Sequence, residues 1–265
     1  MSNSFEYEGF KWVKGVTQNV SDHITLEAPL QITINEDPFT VVMQTPGHEK
    51  ELATGLLYAE DVIRDFSKVK WQFRQNEKGI TEEILISTDP DNVADGYKNS
   101  RSLLSVSSCG ICGKREIEDL LPKADKIKSE EQFHCEDILQ LFRQMEKEQT
   151  LFQLTGGCHG IAAFDAALNL LSLHEDIGRH NALDKVVGSL LLSEKLREAK
   201  IITVSGRTSY EMVSKSFRAK IPIIAGVSAP SSLAIDFAKE YNMTLLAFAR
   251  HDKITCYSGP HRVNF

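Results

Sequence analysis

Apolar and polar positions alternate along two neighbouring stretches near the start of the chain. Leu30, Ile32 and Ile34 form the first run, and Phe39, Val41 and Met43 the second. Asn35-Glu36-Asp37-Pro38 lies between them, so the pattern predicts a β-hairpin with a proline in its turn. Residues 1–20 show no such period and read as an irregular lead-in. Thr45-Pro46-Gly47 ends the second strand. A helix follows, with Leu52, Leu56 and Ala59 on one face and Glu49 and Glu51 in its first turn. Val69, Trp71 and Phe73, the turn Asn76-Glu77-Lys78-Gly79, then Ile84 and Ile86 spell a second hairpin. Thr88 to Tyr97 is rich in Asp, Asn, Pro and Gly and reads as a loop.

The middle of the chain is less regular. A serine-rich stretch from Ser100 to Ser108 leads into a short helix expected to end near Pro122. Leu121 to Glu131 is charged, carries a proline, and is the best candidate for a boundary. This divides the chain into a mixed α+β part over 1–125 and an α/β part over 126–265. Ile138, Leu141, Phe142 and Met145 mark one face of the next helix. Gly156-Gly157 is a turn, and an apolar run continues from Cys158-His159 to Leu173. The last third alternates clearly. Ile201 to Val204, Pro222 to Val227 and Thr244 to Phe248 read as strands. Thr208 to Lys220 and Ser231 to Tyr241 read as helices, the second with Leu233, Phe237 and Ala238 near one face. Strand, helix, strand, helix, strand at these lengths predicts parallel pairing with right-handed crossovers.

Composition narrows the function. The chain has 265 residues, 42% hydrophobic and 25% charged, with a formal net charge of -7. That suits a globular protein and disfavours a general nucleic-acid binder, which would carry a basic surface. The N-terminus has no apolar signal segment, and no apolar run is long enough to cross a bilayer, so a cytoplasmic protein without membrane partners is expected. The five cysteines are Cys109, Cys112, Cys135, Cys158 and Cys256. An odd count without a secretion signal argues against a disulfide framework. Cys135 and Cys256 read as plain thiols in or near the core.

Cys109 and Cys112 are different. They sit in Ser107-Ser108-Cys109-Gly110-Ile111-Cys112-Gly113-Lys114, with Arg115 following. The glycines free the backbone, and the cations favour thiolate, the nucleophilic form. Such a pair can share a metal, close a small disulfide or relay sulfur. A closed zinc site needs four ligands. Cys158-His159 would have to supply two of them, and adjacent side chains seldom converge on one ion, so no metal site is expected. A thioredoxin-type dithiol normally opens a helix near the start of its fold. Sulfur relay fits the pair best.

A second candidate region lies at the carboxyl ends of the predicted parallel strands, where open sheets bind ligands. Three loops leave there: Ser205-Gly206-Arg207, Ser228-Ala229-Pro230-Ser231-Ser232, and Phe248-Ala249-Arg250-His251-Asp252-Lys253. Arg207, Arg250 and Lys253 suit a phosphate and Phe248 a planar ring. Each loop alone could be no more than a helix cap; together they favour a ligand site. The stretch His174 to Lys185 is the densest polar run. Asp184 and Lys185 fit a solvated, ion-paired helix start, whereas Arg179 and His180 are second candidates for function.

These residues resemble the FdhD family of formate dehydrogenase accessory sulfurtransferases. The matching motifs are Ser-Ser-Cys-Gly-Ile-Cys-Gly at 107–113, Thr-Gly-Gly-Cys-His at 155–159 and Glu-Asp-Ile-Gly-Arg-His-Asn-Ala-Leu-Asp-Lys at 175–185. Further matches lie at 45–57, 205–211, 228–234 and 244–250. The resemblance implies a cytidine-deaminase-like three-layer α/β domain with a smaller α+β subdomain, assembled as a homodimer. It implies that sulfur comes from a cysteine desulfurase as a persulfide on Cys109, assisted by Cys112. The acceptor would be a molybdenum (or tungsten) bis-molybdopterin guanine dinucleotide cofactor destined for formate dehydrogenase, bound as substrate and not as a permanent group. Phe248, Ala249, Arg250, His251, Asp252 and Lys253 match the family's cofactor-binding segment. The chain departs from the pattern at Glu60-Asp61, at Cys158 and at Asp252. Deaminase chemistry is not implied, because the zinc signature of those enzymes is absent. The rival readings are a cofactor chaperone without sulfur chemistry, a zinc-stabilised binding module and a general disulfide oxidoreductase.

Overall fold

The computed structural model describes residues 3–94 and 124–265. Cys109, Cys112, the serine-rich stretch before them and the helix expected to end near Pro122 lie outside the described residues.

Residues expected to be irregular form a long β-ribbon. β1 (Ser4–Val13) pairs antiparallel with β2 (Val16–Thr25) through a two-residue turn. Lys14 and Gly15 both take positive φ, 48° and 89°, as the twist of a tight hairpin requires. The period is hidden because Phe5 and Tyr7 point to one face and Phe10 and Trp12 to the other. Phe10 is 83% and Trp12 70% exposed.

β3 (Ala28–Ile34) and β4 (Asp37–Gln44) form the predicted hairpin, with Asn35 and Glu36 as its turn at φ 48° and 71°. Pro38 belongs to β4, not to the turn. β4 is an edge strand, where a missing N–H is tolerated. The phase of β4 differs from the reading: Val41 and Met43 face outward and Val42 packs inward. β5 (Lys70–Gln75) and β6 (Thr81–Ser87) complete a sheet of order β4-β3-β6-β5. Leu30, Ile32, Ile34, Ile84 and Ile86 line one face and are covered by Leu52, Ala53 and Leu57 of α1 (Glu49–Ala59).

The larger sheet has order β13-β12-β11-β10-β8-β9. β8 (His159–Phe164) and β9 (Leu170–Asp176) are an antiparallel hairpin within the long apolar run. β10 (Ile201–Val204), β11 (Ile223–Gly226) and β12 (Thr244–Arg250) are parallel, as the spacing predicts. β13 (Lys253–Ser258) returns antiparallel on β12. The central strands are apolar on both faces because both are covered. One face buries Ile202, Val204, Ile224 and Leu245 under α4 (Arg179–Leu192), α5 (Tyr210–Arg218) and α6 (Ser232–Glu240). In α6 the buried face is Ala234, Phe237 and Ala238; Leu233 is 46% exposed. The other face buries Ile201, Ile223 and Leu246 under Ile138, Leu141, Phe142 and Met145 of α2 (Cys135–Glu148). A short α3 (Thr150–Thr155) follows it. The result is the three-layer α/β architecture with a smaller α+β unit. β7 (Phe133–His134) and β14 (Val263–Asn264) pair beside it. No helix among the described residues is long and apolar enough to cross a membrane.

The two units meet where α1 crosses α4 at backbone contact. A Cβ on Gly55 would overlap the Asp184 carbonyl, and one on Gly188 would overlap the Glu51 carbonyl. Beside this crossing lies a buried polar lock. Lys185 Nζ sits 2.7 Å from Asp176 Oδ2 and donates to the Thr45 carbonyl at 2.7 Å. Asp176 also accepts the N–H groups of Thr45 and Gly178 and the Asn181 amide. Asn181 donates to the Met43 carbonyl at 2.7 Å. Asp184 is paired with Lys215 of α5. Lys185 and Asp184 were expected on a solvated helix start. They are 1% and 2% exposed, because both α1 and the sheet cover this helix.

Two outcomes test the joint. Asp176→Asn strands the buried Lys185 charge and should cost about 3–5 kcal/mol in urea unfolding. Gly188→Ala should cost about 3 kcal/mol, since backbone and not a flexible side chain would have to move.

Candidate functional site

The parallel strands end together, and their loops continue the ladder beyond the sheet. Val227 N–H donates to the Val204 carbonyl, Ser228 N–H to the Gly206 carbonyl and Phe248 N–H to the Ser228 carbonyl. β8 runs the opposite way, so its first residue, His159, arrives at the same edge. Gly160 N–H donates to Ser205 Oγ at 3.0 Å, and Ser205 N–H donates to the Gly160 carbonyl. The three loops chosen from the sequence and the Cys158-His159 pair therefore converge.

A cavity of about 730 Å³, within the usual range for a small-molecule pocket, lies beside them; Arg207 and the 228–232 loop are not among the residues that line it. Ser205, Val227 and Ala249 to Asp252 line it from the strand ends. His159, Cys158 and Gly157 line it from β8 and the preceding turn. The opposite wall is α2 and the segment after it, with Phe142, Arg143, Gln149 and Phe152. Sequence reasoning missed that wall, since the apolar face of α2 reads only as core. The Thr-Gly-Gly-Cys-His motif was the available signal for the β8 side.

The 248–253 segment has an unusual backbone. Phe248 and His251 take φ of 53° and 55°, and the β12–β13 pairing shifts register between Ala247 and Arg250. A bulky aromatic in the left-handed region costs on the order of 1 kcal/mol or more and is characteristic of binding segments. Of the six residues chosen there, Ala249, Arg250, His251 and Asp252 line the cavity; Phe248 and Lys253 do not. The Phe248 ring lies 6.4 Å from that of Tyr257. Asp252, the departure noted in the sequence, pairs with Arg143 of α2 at 3.3 Å, an exposed contact that contributes little to stability.

Cys158 is not a ready nucleophile. It is 7% exposed and donates to Glu175 Oε1 at 3.3 Å. Burial, then the Glu175 charge, pushes its thiol well above the ordinary range. Glu175 itself is spent on the start of α3, accepting the N–H groups of Leu151 and Phe152 at 2.8 Å each. Among the described residues no three His, Cys, Asp or Glu side chains cluster as metal ligands.

Arg179 and His180 open α4 beside this edge. His180 Nε2 lies 3.1 Å from Ser209 Oγ and 2.9 Å from Glu211 Oε2, joining the starts of α4 and α5. Gly206 packs against the His159 ring, where a Cβ would come within 3.2 Å. Burial holds the His159 imidazole below its usual pKa, and the charges of Arg179, His180 and Arg207 depress it further. Asp176 pulls the other way, and Glu211 faces His180, so cations and carboxylates meet at this edge.

Comparison with known proteins places this architecture. A model of the FdhD/NarQ family matches residues 25–264. A protein of Sulfolobus acidocaldarius named sulfur carrier protein FdhD is 37% identical over 255 residues, covering 94% of each chain. One of the same name from Picrophilus torridus is 40% identical over 250 residues, covering 92% of this chain and 93% of its own. A crystal structure described as a formate dehydrogenase accessory protein from Desulfotalea psychrophila superposes with a TM-score of 0.77 at 24% identity. It covers 99% of this chain and 100% of that one, and bears on the fold alone. With the strand-end architecture, the motifs and a match across nine-tenths of its length, the chain belongs to the FdhD/NarQ family.

Proposed function

We propose that this protein is a sulfur carrier that serves the maturation of formate dehydrogenase. Its relatives at 37% and 40% identity carry the name sulfur carrier protein, and that observation carries the reading. The thiol chemistry supports it. Among the described residues Cys158 is held protonated and hydrogen-bonded, and Cys135 and Cys256 are shifted upward by burial. The Cys109-Gly-Ile-Cys112 pair, followed by Lys114 and Arg115, has the sequence context that favours thiolate.

The chemistry balances as two exchanges. The Cys109 thiolate attacks the outer sulfur of a persulfide on a cysteine desulfurase. The donor leaves as thiolate, and Cys109 becomes the persulfide. Cys112 thiolate then attacks the inner sulfur of Cys109, a disulfide forms, and hydrosulfide leaves for the acceptor. A dithiol reductant resets the pair. The acceptor in this reading is a molybdenum bis-molybdopterin guanine dinucleotide, bound as substrate at the strand-end pocket. Ala249, Arg250, His251 and Asp252 line that pocket, and Phe248 and Lys253 flank the same turn. The protein acts as a cytoplasmic homodimer in this scheme.

Intact-protein mass spectrometry after incubation with a cysteine desulfurase and free cysteine tests the carrier. A reductant-sensitive gain of one sulfur mass is expected and should vanish in Cys109→Ala, with the far-ultraviolet circular dichroism unchanged. Sulfur loading retained in that variant would sink the assignment. Normal formate dehydrogenase maturation by a Cys109→Ala, Cys112→Ala double variant would instead favour a cofactor chaperone without sulfur chemistry.

A further inference from the structure

Two cysteines that read as plain thiols in the sequence are brought together by the packing of α2 on β13. Along α2, Cys135, Leu139 and Arg143 follow one another at four-residue intervals and share one side of the helix. Where the chain enters β13, Asp252, Ile254 and Cys256 follow at two-residue intervals and share one face of the strand. The β12–β13 ladder identifies that face. Cys256 lies opposite Leu246, which belongs to the core under α2. Cys135, Leu139, Ile254 and Cys256 are all half-buried against this same core.

One contact sets the register between the two stripes. Arg143 Nη2 reaches Asp252 Oδ1 at 3.3 Å. Cys135 lies eight residues before Arg143, about 12 Å of helix. Cys256 lies four residues after Asp252, about 13 Å of strand. Both steps run along the shared core by the same length, so Leu139 comes opposite Ile254 and Cys135 opposite Cys256. The electrostatics agree with that placement. Burial pushes both thiols up; the Glu136 charge adds to this at Cys135, and the charge of Cys135 adds to it at Cys256. Both thiols are free, and Cys256 donates to the Ser258 carbonyl at 3.1 Å. Cys158, by contrast, is buried and held by Glu175 on β9.

We infer that Cys135 and Cys256 are a second redox pair, separate from Cys109 and Cys112, which closes a disulfide between α2 and β13 on exposure to a low-molecular-weight disulfide. One thiolate of the pair attacks a sulfur of that disulfide and expels a small thiolate. The other cysteine thiolate then attacks the protein sulfur of the mixed disulfide and expels the second small thiolate. The protein loses two electrons and two protons, and the reagent gains both as two thiols. The bond would fasten α2, one wall of the strand-end cavity, to the strand that follows the 250–252 wall. The exposed Arg143–Asp252 pair holds the same two elements at the other end of the contact.

Non-reducing peptide mapping by mass spectrometry tests the pair, on a full-length Cys109→Ala, Cys112→Ala chain equilibrated with oxidised and reduced glutathione. Removing Cys109 and Cys112 keeps their own exchange out of the readout. The oxidised chain should lose two hydrogen masses and give one cross-linked peptide joining Cys135 to Cys256, with the far-ultraviolet circular dichroism unchanged. Its Tm should rise by on the order of 5 °C, because the bond closes a long loop in the unfolded chain. Cys135→Ser and Cys256→Ser should each abolish the cross-link and the Tm rise. Glutathione adducts on Cys135 or Cys256 with no cross-link between them overturn the inference, and so does a disulfide through Cys158. Two free thiols persisting in the folded chain at every glutathione ratio overturn it as well.

Discussion

The ion pair between Lys185 and Asp176 governs how the rest of this molecule is arranged. Both groups are out of water, at 1% and 0% exposure, so each is tolerable only while the other stays in place. Asp176 ends β9 and Lys185 lies on the second turn of α4. Thr45, which both of them contact, ends the first hairpin of the small unit. One interaction therefore orients a sheet, a helix and a neighbouring unit at once. The glycine crossing of α1 and α4 lies beside it and brings the same two units to backbone contact.

The site inherits its shape from that arrangement. The lock holds the start of α4 at the edge where β8 begins and β10, β11 and β12 finish, and so brings Arg179 and His180 to His159 and the 205–207 loop. A motif that looks like one functional run, Glu175 to Lys185, divides into two kinds of work. Asp176, Asn181, Asp184 and Lys185 face inward and hold the joint. His180, at the helix start, instead reaches Ser209 and Glu211 at the start of α5, with Arg179 beside it. Asn181, Asp184 and Lys185 lie three and four apart on one side of α4, Asp176 joins them from the end of β9, and Arg179 and His180 belong to the first turn of the helix.

Much of the fold was legible as pattern. Parallel strands buried on both faces leave continuous apolar runs, and Ile201 to Val204 and Pro222 to Val227 are such runs. The ribbon of β1 and β2 was not legible, because Phe5 and Tyr7 lie on one face and Phe10 and Trp12 on the other. Outward-facing Val41 and Met43 mimic a core strand, and only pairing with β3 shows that Val42 is the inward residue. Leu233 fails in the same way on α6. Alternation gives a period but not its phase, and phase depends on what packs against the strand.

The sequence by itself determined the family, the order of the α/β elements, the cysteine pair and the three strand-end loops. These rest on local signals: residue type, spacing and short-range periodicity. The tertiary structure alone decided that Asp184 and Lys185 are buried, that Cys158 is held by Glu175, and that α2 forms the far wall of the pocket. It also brought Arg179 and Arg207, twenty-eight positions apart in the sequence, to the same edge beside His159. Burial and charge pairing come from segments distant along the chain, so no local window contains them.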